Sequence, residues 1–294
     1  MGTLASIIDP NIVAADPAKG FFVSMLIKDI TLRDAIGDLV DNSVDAIKER
    51  ALDSSNLSGY KITIFLKENN FSIQDNGFGM EAHVARETAF NFGKASSHKL
   101  IDKSIGQFGI GMKRAFFKIG SNIKLKSNSE TSKFEIDIAV KEWIKEPKKW
   151  QFEFKEGTLR EGIINKPENC GVEIEISDLS NDSKISFSDD TFIDKLKKEI
   201  SLEHMLNVSK GLEIEINGYT LEGNHITLVN DETISPTFWE NKSNGQNVKI
   251  LAGISQYDSE EGGWYVFCNE RLVLAKNKTE ETVWTGSKGD GVPL

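Results

Sequence analysis

The stretch Asp38-Leu39-Val40-Asp41-Asn42-Ser43-Val44-Asp45-Ala46 constrains this chain more than any other. It lies within Thr31–Arg50, where a period of 3.6 predicts one amphipathic helix. Asp34, Asp38, Asp41, Asn42 and Asp45 fall on one stripe; Leu32, Ile36, Val40, Val44 and Ile47 fall on the other. Thr31, with Asp34 three residues on, forms a capping-box start. A solvated face normally mixes Lys with Glu at i,i+4, because like charges on one stripe repel. An acidic stripe interrupted by an asparagine is tolerable opposite a cation or a hydrogen-bonding ligand. Taken alone, the helix fits either a solvated or a ligand-facing surface.

Two glycine-rich stretches bear on that choice. Tyr60–Leu66 and Phe71–Asp75 alternate as strands around a Glu68-Asn69-Asn70 turn, which predicts a hairpin. Its second strand, placed at a sheet edge, runs into Asp75-Asn76-Gly77-Phe78-Gly79-Met80. A carboxylate leaving a strand can accept a hydrogen bond from a planar ligand, and Gly77 and Gly79 let backbone come close. The alternative is an Asx-type turn that simply ends the hairpin. Further on, Gly106-Gln107-Phe108-Gly109-Ile110-Gly111-Met112-Lys113 opens a helix over Gly109–Ile119. Glycines before a helix N-terminus leave N–H groups free to hold phosphate. A dinucleotide-fold fingerprint needs a strand immediately before it, and here a polar Ser/Lys segment precedes the glycines. No Gly-Lys-Ser/Thr follows, so a Walker loop is excluded as well.

The bulk properties exclude more than they identify. A formal charge of −10 argues against sequence-blind adhesion to nucleic acid or anionic lipid. Cys170 and Cys268 stand far apart, without zinc or disulfide spacing, and His83, His98, His204 and His225 are scattered. Met1–Lys19 has no basic signal-peptide start, and no apolar run reaches the roughly 20 residues a bilayer span needs. A cytoplasmic, reducing location with no membrane partner is the expectation.

The remainder reads as alternating elements. Phe21–Ile27 is apolar and suits a strand or an exchanged arm, and Met80–Phe92 suits a helix. Strands are expected at Asn122–Lys126, Lys133–Val140, Gln151–Lys155 and Val172–Ser177. The charged Lys141–Lys149 between them is irregular, and with Trp143 and Trp150 it offers a weak nucleic-acid patch beside the plainer reading of a solvated loop. A helix over Ser188–Ser209 and a strand over Leu212–Ile216 precede the Asn217-Gly218 hairpin turn. Residues 229–247 form the boundary, followed by strands at Val248–Gln256 and Trp264–Ala275.

In order and spacing, the helix, the Asp-x-Gly-x-Gly turn and the Gly-x-x-Gly-x-Gly loop together resemble the GHKL ATPase superfamily. That group includes the ATP-hydrolysing component of DNA gyrase, the large heat-shock chaperones, MutL-type repair proteins, sensor histidine kinases and MORC proteins. The resemblance spans about residues 20–230. Phe92–Lys99 and Glu199–Glu222 look most similar to the MORC-like branch. It implies an α+β fold, a two-layer α/β sandwich of the Bergerat type with a mixed, largely antiparallel sheet. Residues 1–230 would be the ATP-binding domain, with 1–27 as a candidate exchange arm and 93–105 as the ATP lid. Residues 231–294 would begin a transducer-like domain, short or partial.

The same resemblance implies roles for particular positions. Asn42 would give Mg²⁺ its amide oxygen, and Asp75 would accept from the adenine amino group. Gly77, Gly79 and Met80 form the turn beside the base, with Asp45 helping to place the nucleotide. Gly106, Gly109 and Gly111, with the N–H groups of Gln107, Phe108 and Ile110, would wrap the triphosphate. Lys94 or Lys99 from the lid would neutralise phosphate charge, as would Lys276, Lys278 or Lys288 from the C-terminal part. In most hydrolysing members a Glu acts as general base where Asp38 stands. Asp38 therefore implies slow hydrolysis, with Asp41 as a stand-in base. Val172 replaces a threonine that often follows the glycine at 171, which removes one base contact. The expected activity is a Mg²⁺-dependent ATPase that works as a nucleotide-dependent homodimer and acts on a partner protein or DNA, in chromatin or in a prokaryotic defence system. The rivals are a chaperone-like client remodeller and a nucleotide-binding module that does not hydrolyse. Exposed apolar patches in residues 229–294 would favour the client remodeller; a basic channel would favour a DNA clamp.

Overall fold

Alternation along Lys61–Lys67 (β1) and Asn70–Asp75 (β2) puts Ile62, Ile64, Leu66, Phe71 and Ile73 on one buried face. The two strands pair antiparallel, as the sequence predicts. The computed structural model describes residues 17–92, 110–223, 226–243, 245–255, 262–279 and 282. Six further strands join the same sheet: β3 (Gly120–Asn128), β4 (Ser132–Ala139), β5 (Arg160–Glu161), β6 (Gly171–Leu179), β7 (Glu213–Ile216) and β8 (Tyr219–Thr220). Their order is β5-β4-β3-β6-β2-β1-β7-β8. Only β1 and β7 run parallel; every other neighbouring pair is antiparallel. The Asp75 strand, expected at an edge, is therefore an interior one between β6 and β1. Pairing on both sides pins the strand end that carries the carboxylate.

Helices complete the α+β sandwich: α1 (Lys19–Lys28), α2 (Leu32–Arg50), α3 (Ala82–Val84), α4 (Gly111–Ile119), α5 (Val140–Lys145), α6 (Asn181–Phe187), α7 (Asp190–Glu203) and α8 (Met205–Ser209). The Thr31/Asp34 capping box starts α2, with the Thr31 hydroxyl accepting from the Asp34 N–H at 3.1 Å. Ile36, Leu39, Val40, Val44 and Ile47 of α2 and Ala115, Phe116 and Ile119 of α4 share one core with the inward residues of the sheet. Burying each Ile, Leu, Val or Phe side chain of this set contributes about 1.5–3 kcal/mol.

Several local expectations are corrected. Phe21–Ile27 lies in helix α1 rather than in a strand, because Val23, Leu26 and Ile27 face the core at helical spacing. This helix packs against the core of the described chain, and residues 1–16 of the exchange-arm reading lie outside the described set. The Lys19 ammonium at its start is buried, donating to the carbonyls of Trp143, Glu146 and Lys149 and lying 4.1 Å from the Trp143 ring centroid. The Lys141–Lys149 patch loses its main aromatic for the same reason. Trp143 sits in α5, 7% exposed, packed with Phe92, Phe117, Trp150 and Phe152. Met80–Phe92 yields only α3 and a π-helical turn at Ala85–Ala89. Gln151–Lys155 contributes only a bridge from Phe154 to Ile136. The Ser188–Ser209 helix is broken at His204 into α7 and α8.

The Asn217-Gly218 turn has φ of +51° and +82°, the left-handed pair that a tight hairpin requires. Beyond it, β9 (Thr237–Ser243) pairs with β10 (Gln246–Ala252), and β11 (Trp264–Cys268) with β12 (Arg271–Asn277); neither hairpin joins the large sheet. No helix among the described residues is long and apolar enough to cross a membrane.

Candidate active site

The outward face of α2 is narrower than the stripe read from sequence. Asp38, Asn42, Asp45 and Glu49 stand at least partly open along it, whereas Asp41 is 6% exposed on another side. A residue three positions beyond Asp38 is rotated by 300°, so a broad stripe merged two faces. Asp41 receives the Nε of Arg271 at 2.7 Å, and His204 Nε2 lies 3.3 Å away; Arg271 also reaches Glu203 at 3.2 Å. Burial pushes the Glu203 carboxyl up to about 7 against the opposing pull of Arg271. Asp41 is thereby committed to an ion cluster and is removed as a stand-in base.

On the open face, Asp38 Oδ2 accepts from Arg114 of α4 at 2.9 Å. The start of α4 lies directly against it: a Cβ added at Gly111 would stand 3.2 Å from that oxygen. Burial raises the Asp38 carboxyl above its ordinary range, while Arg114 pulls it down. One turn along α2, the Asn42 carboxamide is exposed and hydrogen-bonds to no described residue. Asp45 and Glu81 lie close enough to Glu49 to raise its carboxyl, after burial as the first cause.

Asp75 closes the far end. Its Oδ1 accepts from the N–H of Gly77 at 2.9 Å and of Val172 at 3.4 Å, and its Oδ2 from the Ser43 hydroxyl at 3.0 Å. A carboxylate has about four acceptor positions, so one remains for a ligand donor. Burial, at 6% exposure, pushes this carboxyl up to about 6 despite those three donors. The turn after it is clamped to α2: Phe78 N–H donates to the Ala46 carbonyl at 3.0 Å, and Arg50 donates to the Asn76 and Gly77 carbonyls. A Cβ on Gly77 would meet Ala46 and Ile47 backbone at 2.9 Å. Gly79, at φ +78°, lets the turn approach the Asn128 carbonyl oxygen, 1.9 Å from where a Cβ would stand. That close approach is to the protein's own backbone. Met80 is held by the Ser127 hydroxyl, which accepts from its N–H and donates to its carbonyl.

Asp38, Asn42 and Asp45 thus stand along one face of α2, with Gly111 against Asp38. Asp75 meets the helix at the buried Ser43, and Gly77 packs on Ala46 and Ile47 further round it; Ile110 is the N-cap of α4. Lys94, Lys99, Gly106, Gln107, Phe108, Gly109 and Lys288 lie outside the described residues. Sequence reasoning missed Ser43, Glu49 and Arg114. Ser43 lies beside Asn42 in the same stretch, whereas the Arg114 contact joins residues 76 positions apart on two helices and has no local signal. Lys113, next to it, is buried with Nζ on the Ala89 carbonyl at 2.7 Å, and burial alone lowers its ammonium to about 8.

Residues 30–161 match the family described as Histidine kinase-, DNA gyrase B-, and HSP90-like ATPase. No curated protein matches the chain. The matched span contains α2, the Asp75 turn and α4, the three elements that build the site.

Proposed function

We propose, from the assignment of residues 30–161 to the GHKL ATPase superfamily, that the open face of α2 binds ATP with Mg²⁺ and supports its slow hydrolysis. The observation that carries the reading is that α2 bears Asp38 and Asn42 on its open face, has the N-terminus of α4 against Asp38, and holds Asp75 through Ser43. The adenine amino group would donate to Asp75. The phosphates would meet the N–H groups and positive dipole end of the nine-residue α4. Mg²⁺ prefers hard oxygen ligands, and the exposed, unengaged Asn42 carboxamide fits that requirement. When bound, the ion would neutralise developing phosphoryl charge. Asp38 would take the proton of the attacking water as the new P–O bond forms and ADP departs. The side chain is one methylene shorter than Glu and already paired with Arg114, which supports slow turnover. The same pairing favours the second reading, a site that binds nucleotide without hydrolysing it.

The downstream role is a conformational switch in which ATP favours a homodimer. The MORC-like reading keeps its footing in the Phe92–Lys99 and Glu199–Glu222 motifs. For the target, the C-terminal hairpins support a protein: Phe238, Trp239, Val248, Leu251, Trp264 and Val273 are exposed on them. Sedimentation with ATP analogue, ADP and no nucleotide tests the switch; an unchanged monomer in all three removes it.

A further inference from the structure

We propose that Arg114 is the specificity-determining residue that makes this site prefer a nucleoside triphosphate over a diphosphate. The inference rests on the ATP-site reading and adds to it a residue outside the glycine motifs. Arg114 belongs to the first turn of α4, its N–H donating to the Ile110 carbonyl at 2.9 Å. Its side chain turns back to Asp38, so the guanidinium stands where the start of α4 meets the open face of α2.

Charge favours a second cation there beside Mg²⁺. Asp38, Asp45, Glu49 and Glu81 line or flank this face, and a terminal phosphate approaching α4 would meet the Asp38 carboxylate first. The other described cations nearby are committed elsewhere: Arg50 to the Asn76 and Gly77 carbonyls, Lys113 to the Ala89 carbonyl and Arg271 to Asp41 and Glu203. Arg114 spends one amino group on Asp38, and its Nε, buried, has no hydrogen-bond partner among the described residues. A guanidinium carries five donors in a planar fork, so Asp38 engages it without exhausting it. The amino-group donors that Asp38 leaves unused, rather than the buried Nε, suit a phosphate, whose pairing with arginine is stronger than a neutral hydrogen bond. A diphosphate ends one phosphoryl short and forgoes the contact.

The test is a titration of wild type, Arg114→Gln and Asp38→Asn with Mg²⁺ and either a non-hydrolysable ATP analogue or ADP. Wild type is expected to bind the analogue about tenfold more tightly than ADP, or better, the worth of one charge-assisted contact. Arg114→Gln should bring that ratio to within about twofold of unity while ADP affinity stays close to that of wild type. Asp38→Asn, which keeps the cation and removes the repelling carboxylate, should raise the ratio. An unchanged ratio in Arg114→Gln overturns the proposal. Should that variant fail to fold, a ratio that does not rise in Asp38→Asn overturns it instead. Equal binding of both nucleotides by wild type defeats Arg114 and leaves the ATP site standing, whereas binding of neither defeats the ATP site itself.

Discussion

Arg271 donates its Nε to the buried carboxylate of Asp41 at 2.7 Å, tying the turn between β11 and β12 to one side of the helix whose open side carries Asp38 and Asn42. Neighbouring contacts reinforce the tie: Lys48 reaches the Asn269 carbonyl and Glu270, Lys210 reaches Glu270, and Leu272 is buried. Removing the arginine leaves Asp41 buried beside His204 without its main counter-charge. Arg271→Ala should therefore destabilise the chain by about 3–5 kcal/mol, and Asp41→Leu combined with Arg271→Met should recover much of the loss. Chemical denaturation of the two variants measures both; equal stability of Arg271→Ala and wild type would show the pair to be idle.

Asp75→Asn separates binding from stability. The amide oxygen can still accept from Gly77 and Val172, and the Ser43 hydroxyl can rotate to accept from the new NH₂. The adenine amino group then faces a donor instead of an acceptor. Adenine-nucleotide affinity should fall about 10- to 100-fold, the scale of a charge-assisted hydrogen bond. Because burial raises the folded carboxyl to about 6, the native state holds this proton more tightly than the unfolded chain, and the group costs stability as pH rises from about 4 to 6. The variant should thus melt no lower than wild type at pH 8 and lose that advantage at pH 4.

The same carboxyl sets a pH dependence for binding. An acceptor for the adenine amino group must be ionised, so affinity should be flat above about pH 7 and fall below about 6. Titrations from pH 5 to 8 check this, with Asp75→Asn expected to be flat throughout. A wild-type profile without the acid limb would remove Asp75 from the ligand.

Gly79→Ala should fail through the fold rather than the ligand. Its Cβ would stand 1.9 Å from the Asn128 carbonyl oxygen at a φ of +78°, so backbone must move. The expected outcome is a large loss of thermal stability, seen in apo protein; a variant that melts like wild type but no longer binds nucleotide would reverse this assignment.

Asp38→Glu restores the missing methylene and should raise turnover several-fold, while Asp38→Ala should abolish it. Turnover unchanged in Asp38→Ala removes Asp38 as the base.

The elements written in local signals were legible: the capped helix of Leu32–Arg50, the hairpin ending at Asp75 and the Asn217-Gly218 turn. What escaped was decided at long range. A seven-residue apolar run such as Phe21–Ile27 has no periodicity long enough to separate strand from helix, and its partners are distant aromatics. Whether Asp41 faces ligand or ion cluster depends on an arginine 230 positions away. Asp75 was recognised as an acceptor, but its raised pKa follows from interior pairing of β2, which alternation along one strand cannot reveal.

The central claim is that nucleotide binds along the open face of α2. Titration calorimetry of an ATP analogue with Mg²⁺ against wild type and Asn42→Ala at pH 7.5 tests it most directly, since the exposed Asn42 carboxamide hydrogen-bonds to no described residue and its loss should leave the fold intact. The account predicts one saturable site per chain in wild type and at least tenfold weaker binding in the variant, with unchanged melting of the apo protein. Equal affinity in both, or no binding to wild type, would contradict it.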